Sequence, residues 1–352
     1  MAHKLGIIGY GGMATYHQRR IKESLSDILT VTAAFDIDAE RLALAEKSGL
    51  KTFDSVEDFF ASKLFDIVLV ATPNNFHPHY VISALEHGYH VVCEKPVAIT
   101  VKEFDSMVEA SKRTGNVFTV HQNRRWDKDY RIVKKAIETG LIGKPYAIES
   151  RVHGQNGVVH GWREFKVAGG GMLFDWGVHQ IDQIVDMMNG EKIVSVYANL
   201  HSVRTPEVDD YYKLIIRFSN GTTAQIETST YTLIQQPRWY AYGDGGSLVI
   251  DAWDCKGRII RAKDHMMNWE PVVVQTVAGP TRTMAPRPVE TLEEIPLPEA
   301  DPDWADYYRN VIAAIEGKEE LIVNEVNVRR VLQVMEAAFE SDRLNAGIAC
   351  EI

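Results

Sequence analysis

The chain has 352 residues, 45% hydrophobic and 24% charged, which gives room for two domains of ordinary globular composition. A formal net charge of −10 and a pI near 5.7 argue against a nucleic-acid or anionic-membrane surface, and the concentrated basic spot, NRRW at 123–126, is too short to make one. No apolar run approaches the ~20 residues that span a bilayer, no leader pattern opens the chain and three scattered cysteines suggest no disulfide or zinc framework, so a reduced, cytoplasmic protein is expected.

Short apolar runs then alternate with helical patterns. Strands are expected at 5–10 (LGIIGY), 31–36 (VTAAFD), 66–72 (DIVLVAT), 90–95 (HVVCEK) and 117–122 (VFTVHQ). Between them, DAERLALAEKSG at 38–49 and HPHYVISALEHG at 77–88 read as amphipathic helices. Continuous apolar strands alternating with helices predict a doubly wound parallel sheet, a Rossmann domain spanning 1–124. Ligands of such sheets bind outside the carboxyl ends of the strands.

The first strand runs into GYGGMA, a G-x-G-x-x-A turn made by Gly9, Tyr10, Gly11, Gly12 and Met13 before Ala14. Strand before and helix after are the context that a dinucleotide site requires, with the pyrophosphate resting on the helix N-terminus. Asp36 ends the second strand, 22 residues beyond Ala14, near the spacing of a ribose-binding acid. A carboxylate there repels a 2′-phosphate and favours NAD over NADP, although Arg41 lies near enough to soften the preference. Asp36 also suits a helix cap, and the two roles coexist. Thr72 and Asn74, with Pro73 between them, form a turn on the same sheet edge. His77 opens the next helix, as a cofactor neighbour or as a local hydrogen-bonding residue.

VVCEKPVA at 91–98 puts Glu94, Lys95 and Pro96 where a buried parallel strand stops, at the edge where chemistry is expected. Pro96 fixes the backbone there, and a cis Lys95–Pro96 bond is in keeping with that. Strand alternation turns Cys93 away from Glu94 and makes it a small buried thiol.

Beyond 124 the periodicity changes. A helix is expected over 131–143, followed by period-2 runs such as KPYAIESRVHG, EKIVSVYANLHSV and DYYKLIIRFSNGTTAQIETSTYT, with SNGTTA as a hairpin turn. These runs predict a C-terminal α/β domain over 125–352 built on a large, mostly antiparallel sheet. Its tyrosine-rich outer face suits a homodimer or homotetramer. GGGMLFDWGVHQIDQIVDMM at 169–188 places Asp175, His179 and Asp182 on one helical face beneath three glycines, which suggest close backbone approach. His179 is either a packing residue or a group that binds a sugar hydroxyl and moves its proton. No His-Glu-x-x-His spacing or nearby cysteine points to a metal. Tyr231 and Arg238, in YTLIQQPRWYAYGD, suit a sugar ring or the core, and His153 is placed similarly. Residues 277–290 read as a proline-rich loop or arm, and helices are expected at 303–317 and 324–344.

The dinucleotide turn, the EKP at 94–96, GGGMLFDWGVH and the closing YYRNVIAAIEG together resemble the Gfo/Idh/MocA oxidoreductases over nearly the whole chain. The resemblance implies a Rossmann domain joined to a sheet-based α/β domain. It also implies NAD(P)-dependent oxidation or reduction of a ring hydroxyl on a sugar, an inositol or a derivative. Lys95 matches the active-site lysine, Glu94 its companion at the nicotinamide ribose, His179 the acid/base and Asp175 its support or a substrate ligand. Trp162 and Arg163 resemble a pair used at the nicotinamide end. Gln122 and Asn123 resemble a segment that reaches the cofactor, while Arg125 and Trp126 suit substrate contact or interdomain packing.

Alcohol oxidation leaves a hydroxyl proton to remove, and a histidine starting near pKa 6.5 needs little adjustment for that task. His179 is therefore expected as the acid/base, with Lys95 binding and polarising the reacting oxygen. Two alternatives stand beside the dehydrogenase: a glycoside-cleaving enzyme that oxidises C3 transiently with NAD, and a redox-inactive NAD(P)-binding regulatory protein.

Overall fold

The computed structural model describes residues 2–157, 159–263, 272–282, 284 and 286–352. The first sheet takes β1 (His3–Ile8), β2 (Leu29–Phe35), β3 (Lys51–Phe53), β4 (Ile67–Val70), β5 (His90–Cys93) and β6 (Phe118–Val120), all parallel, in the order β3-β2-β1-β4-β5-β6. Helices α1 (Gly12–Ser24), α2 (Ala39–Lys47), α3 (Val56–Ala61), α4 (His77–Glu86) and α5 (Val101–Thr114) make the crossovers. Every residue of β4 is buried, as a strand covered on both faces must be. The strand order reverses between β1 and β4, so the crevice for a ligand opens there. Ladder bonds continue one residue past the strands: Gly9 N–H donates to Phe35, Ala71 to Ile8, Glu94 to Val70 and His121 to Cys93. Those bonds line up the residues of the carboxyl edge.

A short turn at 123–126 leads to α6 (Lys128–Glu138) and β7 (Pro145–His153). The second sheet adds β8 (Ile193–His201), β9 (Tyr211–Phe218), β10 (Thr223–Ser229), β11 (Trp239–Gly243), β12 (Gly246–Ile250) and β13 (Gly257–Ala262). Between β7 and β8 lies α7 (Val178–Met187). After β13 come a hairpin of β14 (Val274–Thr276) and β15 (Gly279–Thr281), then β16 (Leu292–Ile295), α8 (Ala305–Ile315), α9 (Glu325–Leu344) and β17 (Ile348–Ala349). The order β16-β13-β12-β11-β7-β10-β9-β8-β17 is antiparallel except where β10 lies parallel to β7. One sheet face is fully buried through Ile148, Leu214, Ile216, Ile226, Ala241 and Leu248. The expected loop at 277–290 contains β15; Thr283 and Ala285 in it fall outside the described residues.

The closing helices return to the first sheet. Arg329 of α9 pairs with Asp105 of α5, and Glu336 accepts the Val101 N–H. Tyr308 of α8 hydrogen-bonds His17 of α1. Among the described residues no helix is long and apolar enough to cross a membrane.

Candidate active site

At the end of β1 the chain turns through Gly9, with φ at +88°, where a Cβ would sit 2.9 Å from the Ala71 carbonyl oxygen. Only glycine meets both demands. At Gly11 and Gly12 a Cβ would meet nothing within 4 Å, so a ligand backbone has free approach. No side chain caps the N-terminus of α1 and no acid sits in its first turn, whereas Asp38, Ser55, Thr100 and Asn324 cap α2, α3, α5 and α9. The orphan N–H groups of α1 are available to an anion. Asp36 accepts the backbone N–H groups of Tyr10 at 2.6 Å and Asp38 at 2.9 Å, and it keeps a partly exposed carboxylate beside this turn. The open glycines, the uncapped helix and this acid fit a dinucleotide.

Not every residue of that edge faces outward. The Tyr10 ring is buried against Gln18 and Ser48, so the turn offers only its backbone, while Met13 is half-buried. Asn74 is buried and donates to the Gly169 carbonyl at 2.9 Å. His77 is fully buried, with its ring nitrogens 2.9 Å from the carbonyl oxygens of Thr72 and Pro96. Both side chains tie loops together beneath the cofactor edge. Thr72 and Asn123 are half-exposed on it. Cys93 is a buried thiol, and burial pushes its pKa well up.

Lys95 leaves β5 across a cis peptide bond to Pro96 and crosses to the second half of the chain. Its Nζ lies 2.9 Å from Asp175 Oδ1 and 3.0 Å from the Asp175 carbonyl oxygen. Arg163 Nε reaches the same Oδ1 at 3.1 Å, with its guanidinium 4.6 Å from the centre of the half-exposed Trp162 ring. Burial pushes the Asp175 carboxyl up, but the two cations outweigh it and hold the group below the ordinary range. Asp175 stands in a π-helical turn, Leu173–Gly177, that enters α7. The glycines before it allow the folding: a Cβ on Gly170 would collide with the Arg163 carbonyl, and one on Gly171 with the Asp209 carboxylate. Asp209 accepts the Leu173 N–H at 2.7 Å, and burial pushes its pKa up to about 7.

His179 follows one turn later. It is 5% exposed, its Nδ1 has no hydrogen-bond partner among the described residues, and its pKa is well below the ordinary value, first through burial and then through Lys95 and Arg124. It is thus an unprotonated imidazole at neutral pH. Beside Asp175 opens a cavity of about 710 Å³, lined by Arg124, His153, His160, Arg163, Trp176 and Trp253 among others. His153 Nε2 is 3.6 Å from Glu227 Oε1 at its wall. Arg124 lies 4.1 Å from the Trp176 ring centre and 5.7 Å from that of Trp253.

The structure brings Lys95, Arg163, Asp175, His179 and His153 together and sets other expected substrate residues elsewhere. Arg125 is buried in ion pairs with Asp182 at 2.6 Å and Asp186 at 3.0 Å, and Trp126 packs edge-on against Tyr307. Both are structural, because their polar or aromatic surface is consumed within the protein. Arg238 is buried against Asp129 at 3.0 Å and lies 4.3 Å from the Trp253 ring centre, so it supports a cavity wall from behind. Tyr231 is 42% exposed beneath Arg204 and is not part of the cavity lining. Arg124, Trp176, Trp253 and Asp209 are the residues that reading the sequence misses. Trp176 was open to view inside the DWG segment, but nothing local joins Trp253 to it.

A family profile described as "Oxidoreductase family, NAD-binding Rossmann fold" matches residues 3–122, and one described as "GFO/IDH/MocA C-terminal domain" matches residues 130–249. The chain is 33% identical over 298 residues to the 1,5-anhydro-D-fructose reductase of Ensifer adhaerens, covering 82% of this chain and 80% of that one. It is 25% identical over 356 residues to the scyllo-inositol 2-dehydrogenase (NADP(+)) of Bacillus subtilis, covering 99% and 96%. Among solved structures, an NAD-binding protein from Listeria innocua superposes with a TM-score of 0.93 at 41% identity, over 99% of both chains.

Proposed function

From the premise that the chain belongs to the GFO/IDH/MocA oxidoreductases, we propose that it transfers a hydride between a nicotinamide dinucleotide and a ring carbon bearing a hydroxyl group, on a sugar, inositol or glycoside. The observation that carries this reading is the convergence of Lys95 and Arg163 on Asp175, beside a buried, unprotonated His179 and an open cavity. The names of the Ensifer and Bacillus relatives, an anhydrofructose reductase and an inositol dehydrogenase, support a sugar-like or inositol-like substrate.

Gly9 to Met13, the N-terminus of α1 and Asp36 would hold the dinucleotide, and exposed Ile37, next to Asp36, offers apolar cover for a planar base. NAD or NADP fits the fold, and the Asp36 carboxylate favours NAD. Bound there, the cofactor accepts or supplies the hydride. Lys95, oriented by Asp175, donates a hydrogen bond to the substrate oxygen and stabilises negative charge on it as its proton leaves. His179 accepts that proton when an alcohol is oxidised and returns it when a ketone is reduced. Trp176 and Trp253 give the ring apolar faces to rest on. A second copy of the chain, docked on the tyrosine-rich face of the large sheet, completes the assembly we propose.

The test is absorbance at 340 nm with NAD and NADP across sugars, inositols and glycosides, for wild type and Lys95→Ala. Net reduction of cofactor that the variant loses supports a dehydrogenase and identifies its substrate. Glycoside cleavage without net reduction would replace it by the transient-oxidation reading. Binding of NAD without any turnover would favour a regulatory protein.

A further inference from the structure

A compact group of buried ionisable side chains outside the cavity lies under the 94–96 turn. His17 Nε2 stands 2.7 Å and His121 Nδ1 2.9 Å from the same oxygen, Glu94 Oε1. Glu94 Oε2 is 3.2 Å from the Lys95 backbone N–H, and the Tyr308 hydroxyl is 2.7 Å from His17 Nδ1. Both histidines are 0% exposed and Glu94 is 5% exposed. The three parts come from different elements. Glu94 and His121 are adjacent because each follows a strand of the parallel sheet, held there by the ladder bonds to Val70 and Cys93. His17 comes from the helix whose N-terminus opens the dinucleotide turn, and Tyr308 from α8.

We propose that His17, His121 and Tyr308 are positioning residues for the reaction, a clamp in which two imidazole N–H donors, one of them aligned by the Tyr308 hydroxyl, keep Glu94 ionised in a buried place and so fix the turn from which Lys95 projects. The clamp rests on the role given to Lys95 above. A buried carboxylate is costly unless hydrogen bonds satisfy it. The two imidazoles supply them on Oε1 and the Lys95 amide on Oε2, and the histidines hold the Glu94 carboxyl well below the ordinary range against its burial. The Tyr308 hydroxyl, donating to Nδ1, leaves the His17 proton on Nε2, where Glu94 accepts it. Burial, then the neighbouring His121, pulls His17 down to about 4, which keeps it neutral. These atoms lie within 4.8 Å of one another and are of types that ligate metals. Oxygen-to-nitrogen separations of 2.7 and 2.9 Å suit a shared proton, however, whereas two ligands about 2.0–2.1 Å from one tetrahedral ion stand farther apart.

Two readouts test the clamp. Nitrogen NMR on protein carrying ¹⁵N-histidine should show the His17 proton on Nε2 and a proton on His121 Nδ1, with no tightly bound metal in the purified protein. The opposite tautomers, or one equivalent of metal, would overturn it. With the substrate found at 340 nm, His17→Leu and His121→Leu should lose about 10- to 100-fold in kcat, the scale on which small misplacements near the chemistry cost rate, with KM little changed. His17→Gln and His121→Asn carry an amide N–H near the lost donor and should recover most of that loss. Tyr308→Phe, the mildest change, should lose severalfold and give a mixture of His17 tautomers. Unaltered kcat in the leucine variants, or amide variants as slow as the leucine ones, would leave only a packing role. If the wild type turns over no substrate, the proposed function fails, and the NMR result alone decides whether the clamp exists.

Discussion

In the proposed reaction Lys95, Asp175 and His179 divide the work by charge. Lys95 and Arg163 hold the Asp175 carboxyl below the ordinary range against its burial, and the ion pair fixes where the Lys95 Nζ stands. The His179 pKa is depressed by burial, so its basic form is complete above the ordinary histidine value of about 6.5 and is lost only as pH falls through the lower folded value. For alcohol oxidation, kcat/KM should therefore stay level from pH 8 to the mid-sixes as far as His179 is concerned and decline only at more acidic pH. An acid limb centred above 7 that disappears in His179→Asn would contradict this assignment. The same substitution should lower kcat by about 10²- to 10⁴-fold, the usual worth of a placed general base, while calorimetry finds NAD affinity nearly unchanged. At the other end of the cofactor site, Asp36→Ser removes the carboxylate that repels a 2′-phosphate. The ratio of kcat/KM for NAD over that for NADP should fall by at least about tenfold, one charged contact's worth; an unchanged ratio would mean that another residue sets the preference.

At the scale of elements, the decisive piece is the turn from Gly169 into α7, whose glycines and π-helical step aim Asp175 at Lys95. Its backbone is held from outside by Asp209, whose pKa, raised by burial to about 7, leaves the protonated form well populated at neutral pH, with an oxygen still accepting the Leu173 N–H. Asp209→Asn, which keeps the acceptor, should shift the melting temperature little at pH 7. Asp209→Ala leaves the Leu173 N–H unpaired and should cost about 1–3 kcal/mol together with activity. Equal losses in both variants, measured by thermal unfolding, would show that charge rather than acceptance matters. Three adjacent glycines announced a close approach, and the dinucleotide turn and EKP were equally visible, because each is a local pattern with a local cause. The Arg124–Trp176–Trp253 wall was not visible, because it joins a connecting turn, a helix entry and a loop between β12 and β13. For Arg125 and Arg238 the sequence left substrate contact and packing both open, because it displays a charge without its counter-ions, here Asp182, Asp186 and Asp129. The start of α5 is written locally in the chain as a T-x-x-E capping box, Thr100 and Glu103.

For the whole molecule, the large sheet poses the remaining physical question. Its inner face is closed by α7 and α9, with Ser341 and Asp342 of α9 accepting the Ala198 and Leu200 amides of β8. On exposed positions of its strands stand Tyr146, Tyr197 and Ile215 at 55%, 37% and 38% exposure. The Tyr240 and Tyr242 rings lie tilted with centres 4.4 Å apart, and Tyr146 is 6.0 Å from Tyr242. Aromatic rings with one polar end favour a surface that is wet when free and dry when paired, and a sheet of this width supplies the roughly 800 Å² per partner that a stable interface needs. The net charge of −10 opposes association of like chains, so an interface on this strip would rest on its rings and Ile215, with Gln225 and Glu149 between them in the register. Light scattering at micromolar concentration should therefore give twice or four times the mass of one chain. Tyr197→Glu combined with Ile215→Lys should shift the protein toward the monomer while far-ultraviolet dichroism and NAD binding persist, since neither residue touches the cofactor edge. A wild-type monomer would leave the strip without a partner, and an oligomer indifferent to both substitutions would move the interface to another face.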